Sequence, residues 1–260
     1  LLVVVGYALV TRVKYSKVLI VFLSLLIIYM GFRYRLIFLL LPIIFFYFIY
    51  NRMNMSSIIK YSITVFGGVF IIATVGVARK YSSGLQVEKL EGLSFYDVLI
   101  KGIFNDTSTV IVSGAFIDWL DETSNFAYFS QISYIFNYFI PNAIYPDKQY
   151  SPIFSHLSYV TNQLYNESGS AVLGFAEYYH TAGYIGVFIF SILFSIVYVR
   201  LFKRAVISGG VYNNYVYFVL VTWLINSFTR GYLPQNIQDL VSVIIGLSMI
   251  KILSKKFKFS

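Results

Sequence analysis

The chain has 260 residues, of which 58% are hydrophobic and only 12% charged. A soluble domain carries about 25% charged residues because its surface must face water, so a soluble globular enzyme is excluded. Twenty-five Phe, 24 Tyr and 2 Trp exclude a solvated coil, and the lack of cysteine excludes disulfides, thiolate metal sites, iron–sulfur clusters and a cysteine nucleophile. What remains is an all-α, polytopic integral membrane bundle.

The first apolar run, 1–10, stops before Thr11-Arg12. As helix it reaches about 15 Å, half of a bilayer core of about 30 Å. It is expected to be the tail of a spanning helix that begins upstream. A signal peptide would place positive charge before the apolar run, whereas here the charge follows it. Further apolar runs lie at 18–32, 36–50, 61–78, 183–199, 211–229 and 235–253. About seven spans are therefore expected, two of them short enough to need snorkelling Lys17, Arg33, Arg35 and Arg52 at their ends.

Charge sets the orientation. With the 11–17 loop in the cytoplasm, alternation puts 12 of the 20 basic residues and no acid on that side. All 11 acids fall on the other side with the remaining 8 basic residues, for a net −3. This is the split expected of a protein with positive loops inside. The +9 overall charge then belongs to the cytoplasmic membrane surface and is no argument for nucleic acid.

One long connection, 81–181, is expected outside as a large loop carrying amphipathic helices. In it Ile132, Tyr134, Ile135, Tyr138 and Phe139 recur at near-helical spacing and predict a buried stripe. Pro141 and Pro146 end that helix and give a rigid turn around Asn142 and Asp147-Lys148. His156, among Ser155, Leu157 and Ser158, reads as loop, and the acids Asp97, Asp106, Asp118, Asp121 and Glu122 as a solvated face.

Two constellations carry chemistry. The first is basic residues where they do no topological work: Arg33 and Arg35 around Tyr34, Arg79 beside Lys80, and Arg230 in the run Asn226-Ser227-Phe228-Thr229-Arg230-Gly231. A guanidinium at a membrane boundary either snorkels to headgroups or binds a planar anion through paired N–H donors. Four arginines expected on one external face form a natural seat for a phosphate or pyrophosphate on a lipid tail. The second is the run from Gly169 through Gly174, Glu177, His180 and Gly183 to Gly186, which leads into a membrane helix. Glu177 and His180 are three apart and share a helical face. Either they are interfacial polar residues, or they form a proton-transfer pair. In the second case His180 is the base with Glu177 as orienter or sugar ligand, or Glu177 is itself the base. No metal spacing, phosphate-cradling loop or serine nucleophile motif is present in the sequence.

Four stretches resemble the oligosaccharide repeat-unit polymerases, the Wzy-type O-antigen and capsule polymerases. They are Gly31-Phe32-Arg33-Tyr34-Arg35, the 140–148 stretch Ile-Pro-Asn-Ala-Ile-Tyr-Pro-Asp-Lys, the glycine run from Gly169 to Gly186, and Asn226 to Gly231. Asn142 stands where that family often has arginine, and Gln149 where it often has proline. The resemblance implies a GT-C-like membrane glycosyltransferase in the bacterial cytoplasmic membrane, without metal or nucleotide cofactor. It implies joining of undecaprenyl-pyrophosphate-linked repeat units at the outer face, with membrane lipid, a flippase and a chain-length regulator as partners. A ligase of O-antigen shares this architecture and is the nearer alternative. A flippase or other transporter would be expected to show internal repeats, and none is visible.

Overall fold

The computed structural model describes residues 1–29, 33–50, 95–141, 143–146, 151–165 and 172–257. Their regular structure is helical: α1 (Leu2–Val10), α2 (Ser16–Tyr29), α3 (Arg33–Tyr50), α4 (Phe95–Thr123), α5 (Phe129–Tyr138), α6 (Pro152–Tyr165), α7 (Gly174–Ser208), α8 (Gly210–Thr229) and α9 (Leu233–Phe257). Among the described residues, the only β-type pairing is an isolated bridge between Val172 and Gly231. The expected span 61–78, Arg79, and the turn at Asn142 and Asp147-Lys148 lie outside the described residues.

The chain divides into two compact units. One contains α1 to α3, 204–222 and the stretch from Val243 onward. Here Val3, Val5 and Val10 are buried, and Tyr215 donates its hydroxyl to the Val3 carbonyl at 2.8 Å. Phe218 packs on Phe45 and Phe46 at centroid distances of 6.0 and 6.4 Å.

The other unit comprises 107–203 and 223–242. Its core is assembled from helical stripes: Val112, Phe116 and Leu120 from α4, Ile153, Leu157 and Val160 from α6, and Ala176 and Tyr179 from α7. The segment expected as loop around His156 is thus helix. Pro152 is its first residue, where the missing N–H costs nothing and the fixed φ suits a helix start. The stripe expected on α5 is also displaced. Ile132 and Phe139 are 39% and 47% exposed, while Gln131 is fully buried because its amide has a buried partner, described below.

α7 covers 35 residues, and its part after the kink, 184–208, is by itself about 37 Å long, enough for a bilayer core. It is broken at Ala182 and Gly183, the latter with φ 60 and ψ −146, a region open essentially to glycine alone. The kink folds the 174–181 arm back, so that the Tyr178 carbonyl presses directly on Gly186. Beyond it, Ile185, Phe188, Ile189 and Leu193 are apolar and at least half exposed. Such a face is stable against lipid, not water. Two described helices, Gly174–Ser208 and Leu233–Ile252, are long and apolar enough to cross a membrane, and Ser16–Ile27 and Phe38–Phe48 are shorter apolar segments. Over the described residues the chain is all-helical apart from that bridge, and of membrane character.

Glycine packing gives a stability prediction. A Cβ at Gly174 would collide with the Ser227 carbonyl and one at Gly186 with the Tyr178 carbonyl, both backbone atoms that cannot rotate away. Gly114, inside α4, has open space around it. Gly174→Ala and Gly186→Ala should each lower stability by about 1–3 kcal/mol. Gly114→Ala should raise it by about 0.5–1 kcal/mol through helix propensity. Thermal unfolding in detergent measures all three.

Candidate functional site

The glycine run and the Asn226–Gly231 run, some fifty residues apart in sequence, are packed against each other. Gly231 N–H donates to the Val172 carbonyl at 2.7 Å, closing the isolated bridge. Gly174 lies against the backbone of Ser227 and Phe228, a fit that any larger residue would prevent. Leu173 N–H is held by Ser113 Oγ at 2.8 Å, which ties the same strand-like segment to α4. The turn carrying Arg230 is fixed from its other side. Its carbonyl accepts from Asn236 Nδ2 at 2.9 Å, and the Asn236 carbonyl accepts from the Trp223 indole at 2.7 Å. Arg230 therefore projects from an anchored turn and is exposed.

Glu177 is completely buried. Both of its carboxylate oxygens accept from the backbone N–H of Leu233, the first residue of α9, at 2.7 Å. Gln131 Nε2 donates to Oε1 at 2.8 Å. The carboxylate thus sits where a helix presents unpaired N–H groups and the positive end of its dipole. The signal for Gln131 was weak: its amide is one of several polar groups on α5, with Ser130, Ser133 and Asn137.

His180 is also completely buried, and its partner is the other histidine of the chain. Its Nε2 lies 3.0 Å from His156 Nδ1. Phe116 packs on the His180 ring and Trp119 on the His156 ring, each at 5.3 Å. His156 is only partly buried. Glu177 and His180 share an arm of α7, yet each turns to a different partner. The pairing of the two histidines follows from stripe positions: His156 is three residues after Ile153, and His180 four after Ala176. Pro152 was the sequence signal that could have placed His156 on a helix.

Both residues precede the kink, on the arm outside the apolar stretch that follows it. Burial pushes the Glu177 carboxyl up to about 7, against the opposing hydrogen bonds from Leu233 and Gln131. Burial, and then the neighbouring His156, lower His180 to about 3. Burial also lowers His156. Both imidazoles are neutral at pH 7.

Of the other expected site residues, Arg33 and Arg35 open α3 in the first unit, and Arg79 lies outside the described residues. Among the described residues no group of three or more His, Cys, Asp or Glu gathers as a metal site.

The two buried groups give opposite pH slopes. Raised in the folded state, the Glu177 carboxyl contributes stability that is complete below about pH 4.5 and fades as pH rises through about 7. Lowered in the folded state, His180 contributes stability that is complete above pH 6.5 and fades as pH falls toward about 3. Unfolding midpoints of His180→Gln should therefore rise between pH 7 and 5. Those of Glu177→Gln should fall over the same interval.

No curated protein and no solved structure matches the chain. The family model of the O-antigen polysaccharide polymerase Wzy matches residues 2–258. With that match over nearly its whole length, the chain belongs to the Wzy family of O-antigen polysaccharide polymerases.

Proposed function

We propose that the protein joins undecaprenyl-pyrophosphate-linked oligosaccharide repeat units into surface polysaccharide at the outer face of the bacterial cytoplasmic membrane. The observation that carries this reading is the anchored Arg230 turn, which leads through Gly231 and Tyr232 to Leu233, where the Glu177 carboxylate is clasped. A cation on a rigid turn and a buried imidazole follow one another on the same packed pair of segments.

In this reading the hydroxyl at the non-reducing end of a new unit attacks the anomeric carbon of the growing chain. The bond from that carbon to the pyrophosphate oxygen breaks, and negative charge collects on the lipid pyrophosphate. Arg230 supplies positive charge that the leaving group requires, and Arg33, Arg35 and Arg79 are assigned the same role from the sequence alone. His180 takes the hydroxyl proton. Glu177, whose oxygens are engaged by Leu233 and Gln131, holds the arm that carries His180 and has the role of positioning it. Seven spans with the 81–181 loop outside, on a GT-C-like plan, give this chemistry its compartment. A flippase would deliver the units and a chain-length regulator would act on the product.

Two measurements test it. Lysine does not reproduce a bidentate guanidinium contact. Arg230→Lys should cut polymer longer than one repeat by about tenfold or more while the protein accumulates normally. Unchanged polymer in this variant and in the corresponding changes at Arg33, Arg35 and Arg79 would return these residues to headgroup contacts. Loss of transfer to lipid A core with intact polymer would make the protein a ligase. For sidedness, Ser124→Cys should react with an impermeant maleimide in intact spheroplasts. Reaction only after lysis would overturn the outer-face assignment.

A further inference from the structure

The short helix α5 is fixed at both ends. Just before it, Ala127 N–H donates to the His180 carbonyl at 2.8 Å, and Phe126 lies against Gly183 of the α7 kink. At the other end the Tyr138 hydroxyl donates to Gln238 Oε1 at 3.2 Å, and its ring meets Tyr232 edge-on at 5.9 Å. One end thus sits where α7 starts its apolar course, and the other at the first turns of α9. These are the two described helices long and apolar enough to cross a membrane, and Glu177 joins the arm of one to the first residue of the other. A helix tied to the starts of two spans runs across their ends, along the plane of the membrane and not through it.

Successive residues of a helix are about 100° apart, which sorts α5 into three stripes. Gln131, Tyr134 and Tyr138 form the stripe that faces the protein: Gln131 holds Glu177, Tyr138 reaches Gln238, and Tyr134 packs on Tyr138. Ile132, Phe136 and Phe139 form a second stripe on the far side, and all three are exposed, Phe136 to 73%. Ser133 and Asn137 each follow a residue of that apolar stripe and, with Ser130, make a polar stripe between the other two. The outward surface is therefore split along the helix axis into an apolar side and a polar side. A boundary between hydrocarbon and water requires that division, and a helix bathed in water does not. No residue from Asn125 to Pro146 is charged, and beyond the helix Ile144 is again largely exposed.

We propose that α5 is an interfacial helix docked on the lipid bilayer, with Ile132, Phe136 and Phe139 seated among the acyl chains of the outer leaflet and Ser130 and Ser133 turned to water. Lipid is the occupant because the patch continues a surface that already faces lipid. The segment leading into α5 adjoins the kink, and directly beyond the kink Tyr184, Ile185 and Phe188 are exposed. The choice of leaflet rests on the outer-face reading above, whereas the interfacial depth stands on geometry alone. A consequence for the site follows. Tyr232, which packs on Tyr138, is two residues after Arg230, so α5 holds the Arg230 turn at the level of the headgroups. The phosphate of a lipid-linked unit lies at that level while its tail stays in the leaflet. α5 brings no group to the reaction and acts as a positioning element that sets depth.

The chain has no cysteine, so a single introduced thiol carries the only spin label. Phe136→Cys and Ser133→Cys, each labelled with a nitroxide, are placed in nanodiscs of phosphatidylethanolamine and phosphatidylglycerol. The label at 136 should be reached by oxygen and shielded from a water-soluble nickel chelate, and the label at 133 should show the reverse. Chelate access at both positions overturns the docking. A second measurement leaves the chain unaltered: a carbene released from a diazirine on a lipid acyl chain should mark residues 132–139 as well as the α7 span. Marking of the α7 span alone overturns the docking. If position 136 is open to the chelate in nanodiscs yet protected from maleimide in spheroplasts, another protein covers the patch and the lipid assignment fails. Reaction of Ser133→Cys with impermeant maleimide only after lysis overturns the outer-face reading and leaves the interfacial helix standing. For the depth role, Phe136→Asp should raise KM for the lipid-linked unit severalfold with kcat retained, and Phe136→Leu should match the unaltered chain. An unchanged KM in Phe136→Asp overturns that role, whatever the labels report.

Discussion

A buried carboxylate organises the second unit of this protein. Left alone, Glu177 would be strongly unfavourable at zero exposure, since a charge loses its hydration on burial. Its oxygens are instead satisfied by the first N–H of α9 and by the Gln131 amide. That single group joins the arm of α7, the start of α9 and the inward face of α5. Three other features depend on it. The α8–α9 turn is held next to the bridge at Val172, Arg230 leaves that turn in a fixed place, and α5 turns its one buried amide inward.

The inward position of Gln131 also sets the orientation of α5: Gln131 is fully buried, while Ile132 and Phe136, and Phe139 just past the helix, are exposed. The same pattern recurs on α7 beyond the kink, where the apolar residues are the exposed ones. The interior of this unit houses Glu177, His180, Thr181, Asn226, Ser227 and Asn236, all buried.

Close approach of backbones makes this possible. Gly174 on Ser227, Gly231 on Leu173 and Gly186 on Tyr178 remove side chains where segments must touch. Gly183 supplies the one conformation that turns a continuous helix into an arm and a span. The arm carries Glu177 and His180, and its direction is set by the kink. Substitutions that straighten it would separate both residues from their partners while leaving the helix content unchanged.

Composition, charge and the spacing of apolar runs determined by themselves a helical class and a membrane character, while the family and the two stretches of the candidate site were read from the resemblance of short motifs to the Wzy-type polymerases. Class and membrane character are properties of local sequence, because helix formation and lipid compatibility are decided within a few turns. Tertiary structure alone decided the partners. Nothing in the sequence links Glu177 to the backbone of Leu233, since every non-proline residue has an N–H and only packing selects one. Gln131 was legible as polar but not as buried, because its burial depends on a carboxylate forty-six residues away. His156 was read as loop although Pro152 marks a helix start. Its pairing with His180 required two separate helices to bring stripe positions into contact, a long-range choice made by the core of Phe116, Leu157 and Ala176 rather than by any local pattern.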